Sequence, residues 1–212
     1  MELNNKQLNK LEDGREYRGM TLTVRAAEDN AGNAIVEGYA TTFNQPYTLY
    51  KSRYYEVIER IAPSAFAECD MSDVIMQYDH EGRVFARNKN GTLALTVDNI
   101  GLKITADLSG TDIGRQLYQE IKGGYTDKMS FGFVVGEDQR TSTVDHENDV
   151  ETVTRTITKI KKLYDVSAVS IPANDMTSIS ARRYADGVID GIKAERLERA
   201  NKIKKLKLML EV

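Results

Sequence analysis

What is scarce in this sequence narrows its chemistry. Cys69 is the only cysteine in 212 residues, so the chain forms no internal disulfide and builds no thiolate metal cluster by itself, a usage that suits a reducing cytosol. No run of about 18 apolar residues occurs, and the opening MELNNKQLNKLEDGREYR lacks the apolar stretch of a secretory signal. The expectation is a soluble chain with no membrane association. Lys and Arg number 29 against 32 Asp and Glu, a near balance that argues against a broad phosphate-binding surface and against nucleic acid as a partner. There are two histidines, His80 and His146. If general-base catalysis near neutral pH depends on an imidazole, it has two candidates.

The common site signatures are also missing. There is no G-x-S-x-G elbow, no G-x-x-x-x-G-K-[ST] loop, no G-x-G-x-x-G and no H-E-x-x-H. Neither His80-Glu81 nor His146-Glu147 is followed by a second histidine at helical spacing, so zinc-dependent hydrolysis is unsupported. The acidic stretch Asp145-His146-Glu147-Asn148-Asp149 lacks the glycine and distal glutamate of an EF-hand loop and reads as a solvated hairpin loop. No metal and no cofactor is expected.

What is present is enough apolar content, 41%, for one domain with an appendage. Residues 1–19 are polar and weakly periodic, which predicts a flexible N-terminal arm. MTLTVRA and AIVEGYATTF alternate around the turn cluster DNAGNA and predict a β-hairpin. YYEVIERIAPSAFAEC predicts a strand ending at Pro63 and then a short helix with that proline in its first turn. VIMQYDH, RVFAR, TLALTVD and GLKITADL, separated by the turn signals HEG, NKNG and NIG, predict a β-meander.

DIGRQLYQEIKGG carries Ile113, Leu117, Tyr118 and Ile121 at helical spacing, with Thr111 placed to cap it and Gly123-Gly124 to end it. KMSFGFVVGE and VTRTITKIKKLYDVSAVSIP then predict two strands joined by the polar loop DQRTSTVDHENDVET, the second long and returning antiparallel. AERLERANKIKKLKLMLEV is a charged helix with apolar residues at roughly helical spacing.

Three residues stand out. Ser130 is a polar residue in the apolar run KMSFGF, after a glycine pair, with Gly132 leaving little bulk on one face of its strand. His80 closes the strand VIMQYD just before Gly82, either capping a strand end in solvent or presenting its ring to a cleft. Asp165 lies inside LYDVSAV, where it is either an edge-strand acid facing water or a buried carboxylate with a partner such as an imidazole N–H. A nucleophilic serine needs a base within hydrogen-bond reach and a group orienting that base.

VIMQYDHEGRVFARNKNGTLAL, a helix ending in a glycine pair, K-M-S-F-G-F and then L-Y-D-V-S-A-V-S-I-P-A-N, in this order, resemble the HK97-like prohead maturation proteases of tailed bacteriophages. YEVIERIAPSAF is similar to the family's E-x-I-x-x-G-A-F stretch, with Ser64 where glycine is usual. Many members carry glutamate at the position of Asp165. The similarity spans roughly residues 20–182.

The resemblance implies an α+β, mainly β, fold like that of herpesvirus assembly proteases: a closed or partly closed antiparallel β-barrel core with flanking helices. It implies a catalytic domain over 20–182 and leaves a charged C-terminal helix over 183–212, either a targeting element or a segment removed on activation. It implies a serine endopeptidase with Ser130 as nucleophile and His80 as general base. Asp165 orients His80, with His146 the alternative third member. Asp165 is preferred because a regular strand holds a side chain more rigidly than an acidic loop does.

The partners implied are the major capsid protein and the scaffolding protein, with self-cleavage and self-association, inside the assembling prohead in the host cytoplasm. The rival reading is a non-enzymatic structural or scaffolding component of the phage head. A small-ester hydrolase is disfavoured by the missing nucleophile elbow.

Overall fold

The computed structural model describes residues 13–23, 25–26, 33–170 and 175–210. In chain order its strands are β1 (Glu16–Thr23), β2 (Arg25–Ala26), β3 (Ile35–Thr42), β4 (Tyr47–Lys51), β5 (Tyr55–Ile61), β6 (Ile75–Tyr78), β7 (Glu81–Arg87), β8 (Leu93–Val97), β9 (Gly101–Asp107), β10 (Lys128–Asp145) and β11 (Val150–Val169). Helix α1 (Asp112–Lys122) lies between β9 and β10, and helix α2 (Asp175–Leu210) follows β11.

The spine is the hairpin of β10 and β11, antiparallel from Lys128↔Val169 to Asp145↔Val150. In β11 the sequence VTRTIT alternates as expected, with Val153, Arg155 and Ile157 buried and the threonines between them partly exposed. Towards its end the alternation gives way to continuous burial over Val166–Val169, which is how a strand covered on both faces reads. β1 pairs with the near half of β10, and β5 and β6 run parallel to β11 along its other edge, through Glu151–Ile157 and Asp165–Ala168 respectively. With β4 and β7 they make a seven-stranded mixed sheet, while β2, β3, β9 and β8 form a four-stranded antiparallel one. A bridge from Phe43 to Ile61 joins the two, and Ile61, Met76, Leu102, Ile104, Phe131 and Phe133 fill the core.

The class is therefore α+β, mainly β. Among the described residues no ladder closes a complete barrel, and the parallel pairs of β11 depart from an all-antiparallel core.

Several local expectations need correction. MTLTVRA does not form one hairpin arm: Met20–Thr23 continue β1 against β10, and only Arg25–Ala26 pairs with β3. The reason lies upstream, because fully buried Tyr17 and Arg18 commit this segment to the larger sheet. The strand thus takes in Glu16–Gly19 of the expected arm, whose residues 1–12 lie outside the described residues. Most of the turn cluster DNAGNA lies outside them too.

The predicted meander is two hairpins in different sheets, β6–β7 and β8–β9, split by a turn of 3-10 helix (Asn88–Asn90) and Gly91 at φ 77°. After Pro63 the chain makes i→i−3 turns, not a helix; the carbonyl of Ala65 accepts instead from Ile160 N–H at 2.8 Å. A non-local bond has taken the acceptor that a helix would need.

α1 is as expected. Thr111 Oγ1 accepts from Gly114 N–H at 3.0 Å, and Gly123 N–H returns to Gln119 O at 2.8 Å. α2 runs unbroken through the expected boundary at 182–183, and Ala181, Ala185, Val188 and Ile189 are buried.

One feature of the packing carries unusual weight. The buried Glu59 carboxylate accepts from Arg18 Nε at 2.6 Å, from Arg155 Nη1 at 2.8 Å and from Tyr47 O–H at 2.6 Å. Arg155 also donates to Glu16 and to Asp138, and its guanidinium lies 3.8 Å from the Tyr184 ring centroid. The cluster ties β1, β4, β5, β10, β11 and α2 together.

Removing one member strands the other charges, which costs about 3–5 kcal/mol. Arg155→Met should therefore lower the stability read from urea unfolding by about that amount. Burial alone would raise the Glu16 pKa, but Arg18 and Arg155 outweigh it and hold the carboxyl below its usual value. Its contribution is full above the ordinary glutamate pKa of about 4.3 and is lost as pH falls through the lower native value. Thermal melting should drop on acidification below about pH 4, and less steeply in Glu16→Gln.

Candidate active site

His80 owes its position to an unusual turn. Tyr78 of β6 pairs with Glu81 of β7, leaving Asp79 and His80 as the two central residues, at φ 48° and 61°. Two consecutive positive φ values belong to a tight hairpin turn that usually carries Asn-Gly. Asp and His there store backbone strain, a feature that collects at functional sites. Asp79 N–H donates to Ala168 O at 3.1 Å and pins the turn onto β11. The His80 ring is thereby turned inward and fully buried.

The two strands beneath supply the rest. In the β10–β11 register Ser130 faces Ser167 and Gly132 faces Asp165, so these four share one face of the sheet. His80 Nδ1 lies 2.5 Å from Asp165 Oδ1, and Nε2 lies 2.5 Å from Ser130 Oγ. An ionised carboxylate only accepts, so the ring proton sits on Nδ1 and Nε2 is left to accept from the serine hydroxyl. Ser167 O–H donates to the same oxygen, Asp165 Oδ1, at 3.0 Å, with its Oγ 3.2 Å from His80 Nδ1. The arrangement is a relay in which a hydroxyl proton can pass to an imidazole whose cationic form a carboxylate stabilises.

The sequence-predicted residues Ser130, His80 and Asp165 thus converge from three segments. His146 does not join them. It is exposed in the turn joining the far ends of β10 and β11, and the Asp145 carboxylate there accepts from the backbone of Glu147 and Asn148. At about 3.4 Å per residue that turn is on the order of 50 Å along the strand from Ser130, beyond contact with the His80 ring. Cys69 is also no rival nucleophile, because burial pushes its thiol up to about 11.

Two neighbours, Ser167 and Tyr17, escape the sequence reading. Ser167 was signalled only by its i+2 spacing from Asp165, which puts both on one face. Tyr17 of β1 packs edge-on against His80, with ring centroids 4.7 Å apart. Gly132 had been noted for its small bulk, and the structure supplies the use: a Cβ there would lie 2.4 Å from Asp165 Oδ2 and 2.7 Å from Tyr17 Cε1. The Ser130 hydroxyl also lies 2.9 Å from Arg18 O on β1. Beside the His80 turn is a groove of about 420 Å³ whose walls include Tyr78, Glu81, Phe85, Leu117 and Glu120.

Gly132→Ala should displace the Asp165 carboxylate. A misplacement of about 1 Å in such a relay costs roughly 100-fold, read as the rate at which a fluorophosphonate labels Ser130. The folded state should survive by circular dichroism; unchanged labelling would mean that Asp165 does not orient His80.

A family profile described as caudovirus prohead serine protease matches residues 20–188. No curated protein and no solved structure matches the chain. The matched segment holds β2 to β11 and the whole Ser130–His80–Asp165 relay. The chain belongs to the caudovirus prohead serine protease family.

Proposed function

We propose that the chain is the endopeptidase of phage head maturation, with Ser130 as nucleophile, His80 as general base and Asp165 as the group that orients His80. The observation that carries this reading is the unbroken relay Ser130 Oγ, His80 Nε2, His80 Nδ1, Asp165 Oδ1, with 2.5 Å at each hydrogen bond. Ser130 Oγ attacks the scissile carbonyl while its proton moves to His80 Nε2. The imidazolium, paired with Asp165, returns that proton to the leaving amine, and water, activated by the same ring, hydrolyses the acyl-enzyme. Ser167 keeps Asp165 aligned through both steps.

The substrates under this reading are the scaffolding protein or the scaffolding segment of the major capsid protein, and the chain itself, cleaved inside the assembling prohead. The groove beside the His80 turn, lined by Tyr78, Phe85, Ile113 and Leu117 together with Glu81 and Glu120, has the character of a side-chain subsite. Ser130 has no exposed surface. A polypeptide therefore reaches it only after the covering chain gives way, so hydrolysis is gated by an opening step.

Co-expression of the capsid protein with the wild-type chain should yield a defined capsid fragment, absent with Ser130→Ala or His80→Ala. Asp165→Asn should retain cleavage slowed by on the order of 10³-fold or more. Cleavage that survives in Ser130→Ala would remove this residue from the mechanism. Gating predicts that the labelling rate of Ser130 saturates with fluorophosphonate concentration, at the opening rate.

A further inference from the structure

Helix α2 uses only part of its length on the body of the protein. Its docked face carries Ala185, Val188 and Ile189, all buried, and Ile192, half-buried. At 100° per residue the same face continues through Arg196, Arg199, Ile203 and Leu206. Arg196 forms an ion pair with Glu151, yet every residue from 193 to 206 is exposed. Ile203 is 48% and Leu206 53% exposed. The helix thus overhangs the sheet by about 20 Å, at 1.5 Å per residue, and carries its apolar stripe beyond the surface it was docked on. This overhang also lies past residue 188, where the family match ends.

Charge selects what fits it. Between Leu197 and Leu210 the basic residues are Arg199, Lys202, Lys204, Lys205 and Lys207, against Glu198 alone, in a chain whose net charge is −3. A second copy of the same helix would set these cations against their equals, so a homodimeric coiled coil through this face is opposed. Nucleic acid would answer the charge but not the exposed Ile203 and Leu206, whose burial needs an apolar surface.

We infer that the overhanging end of α2, around Ile203 and Leu206, is a docking helix for an acidic helical segment of a head protein. That segment would present an apolar stripe to Ile203 and Leu206 and carboxylates to the flanking lysines. The inference rests on the proposed maturation role, and it assigns recruitment to a surface separate from the Ser130 site.

The test uses the full chain carrying Ser130→Ala, so that nothing is cut, co-expressed with the phage capsid and scaffolding proteins. The copies retained in purified proheads are then counted. Ile203→Ser with Leu206→Ser, and separately Lys202→Glu with Lys204→Glu and Lys205→Glu, should each reduce retention at least tenfold. Melting temperature should be unchanged, and so should fluorophosphonate labelling of the same variants with Ser130 restored. Retention at the wild-type level in either variant overturns the inference. So does loss of retention on nuclease treatment, or sedimentation showing a wild-type dimer that these substitutions dissociate. Retention that depends on the helix while Ser130 proves unreactive would instead count against the protease reading and leave the docking surface standing.

Discussion

A buried carboxylate beside a buried imidazole is the constraint on which this molecule turns. Asp165 is 2% exposed and His80 is fully buried, and an ionised acid in that setting is tolerated only if its lone pairs are answered. Nδ1–H of His80 and the hydroxyl of Ser167 answer them. Everything near the site serves that arrangement: the strained Asp79-His80 turn aims the ring, the bond from Asp79 N–H to Ala168 anchors the turn, and the absent side chain of Gly132 leaves room for the carboxylate.

The same logic of compensated burial recurs at the ionic cluster. Arg18 belongs to both neighbourhoods: its guanidinium binds Glu59, while its backbone carbonyl lies beside the Ser130 hydroxyl. β1 therefore links Ser130 to the charge cluster that fastens the strands and α2 together. Tyr17, next along the strand, closes over His80. The same two residues of β1 thus leave Ser130 with no exposed surface.

Local chemistry was readable wherever a feature depends on residues close in sequence. The α1 cap at Thr111, the stop at Gly123-Gly124 and the antiparallel return of β11 were readable from adjacent residues, because capping, αL stops and alternation act over a few positions; the polar stretch Asp138–Asp145, which reads as loop, instead extends β10 against β11. Pro63 misled for the same reason: its local preference for a helix start was overridden by a bond from Ile160, far along the chain. The meander was misread because four turn-separated strands do not declare which sheet each will join. Ser130 and Asp165 were singled out as polar residues that an apolar strand does not need, whereas Ser167 and Tyr17 looked ordinary in their local settings.

By itself, the sequence determined the mainly β character, the helices α1 and α2 but not the turns after Pro63, the absence of a cysteine cluster and, through KMSFGF and LYDVSAV, the family and the residues that meet around His80. Only the tertiary structure brought Asp165, and not His146, within hydrogen-bond reach of His80. It also decided that Gly132 makes space for a carboxylate, that Arg18, Glu59 and Arg155 share one buried cluster, and that α2 overhangs the body. The reason is physical. Propensity and pattern are properties of neighbours along the chain, but which charge meets which across a sheet follows from strand register and parallel pairing, and these are fixed only when the whole core closes.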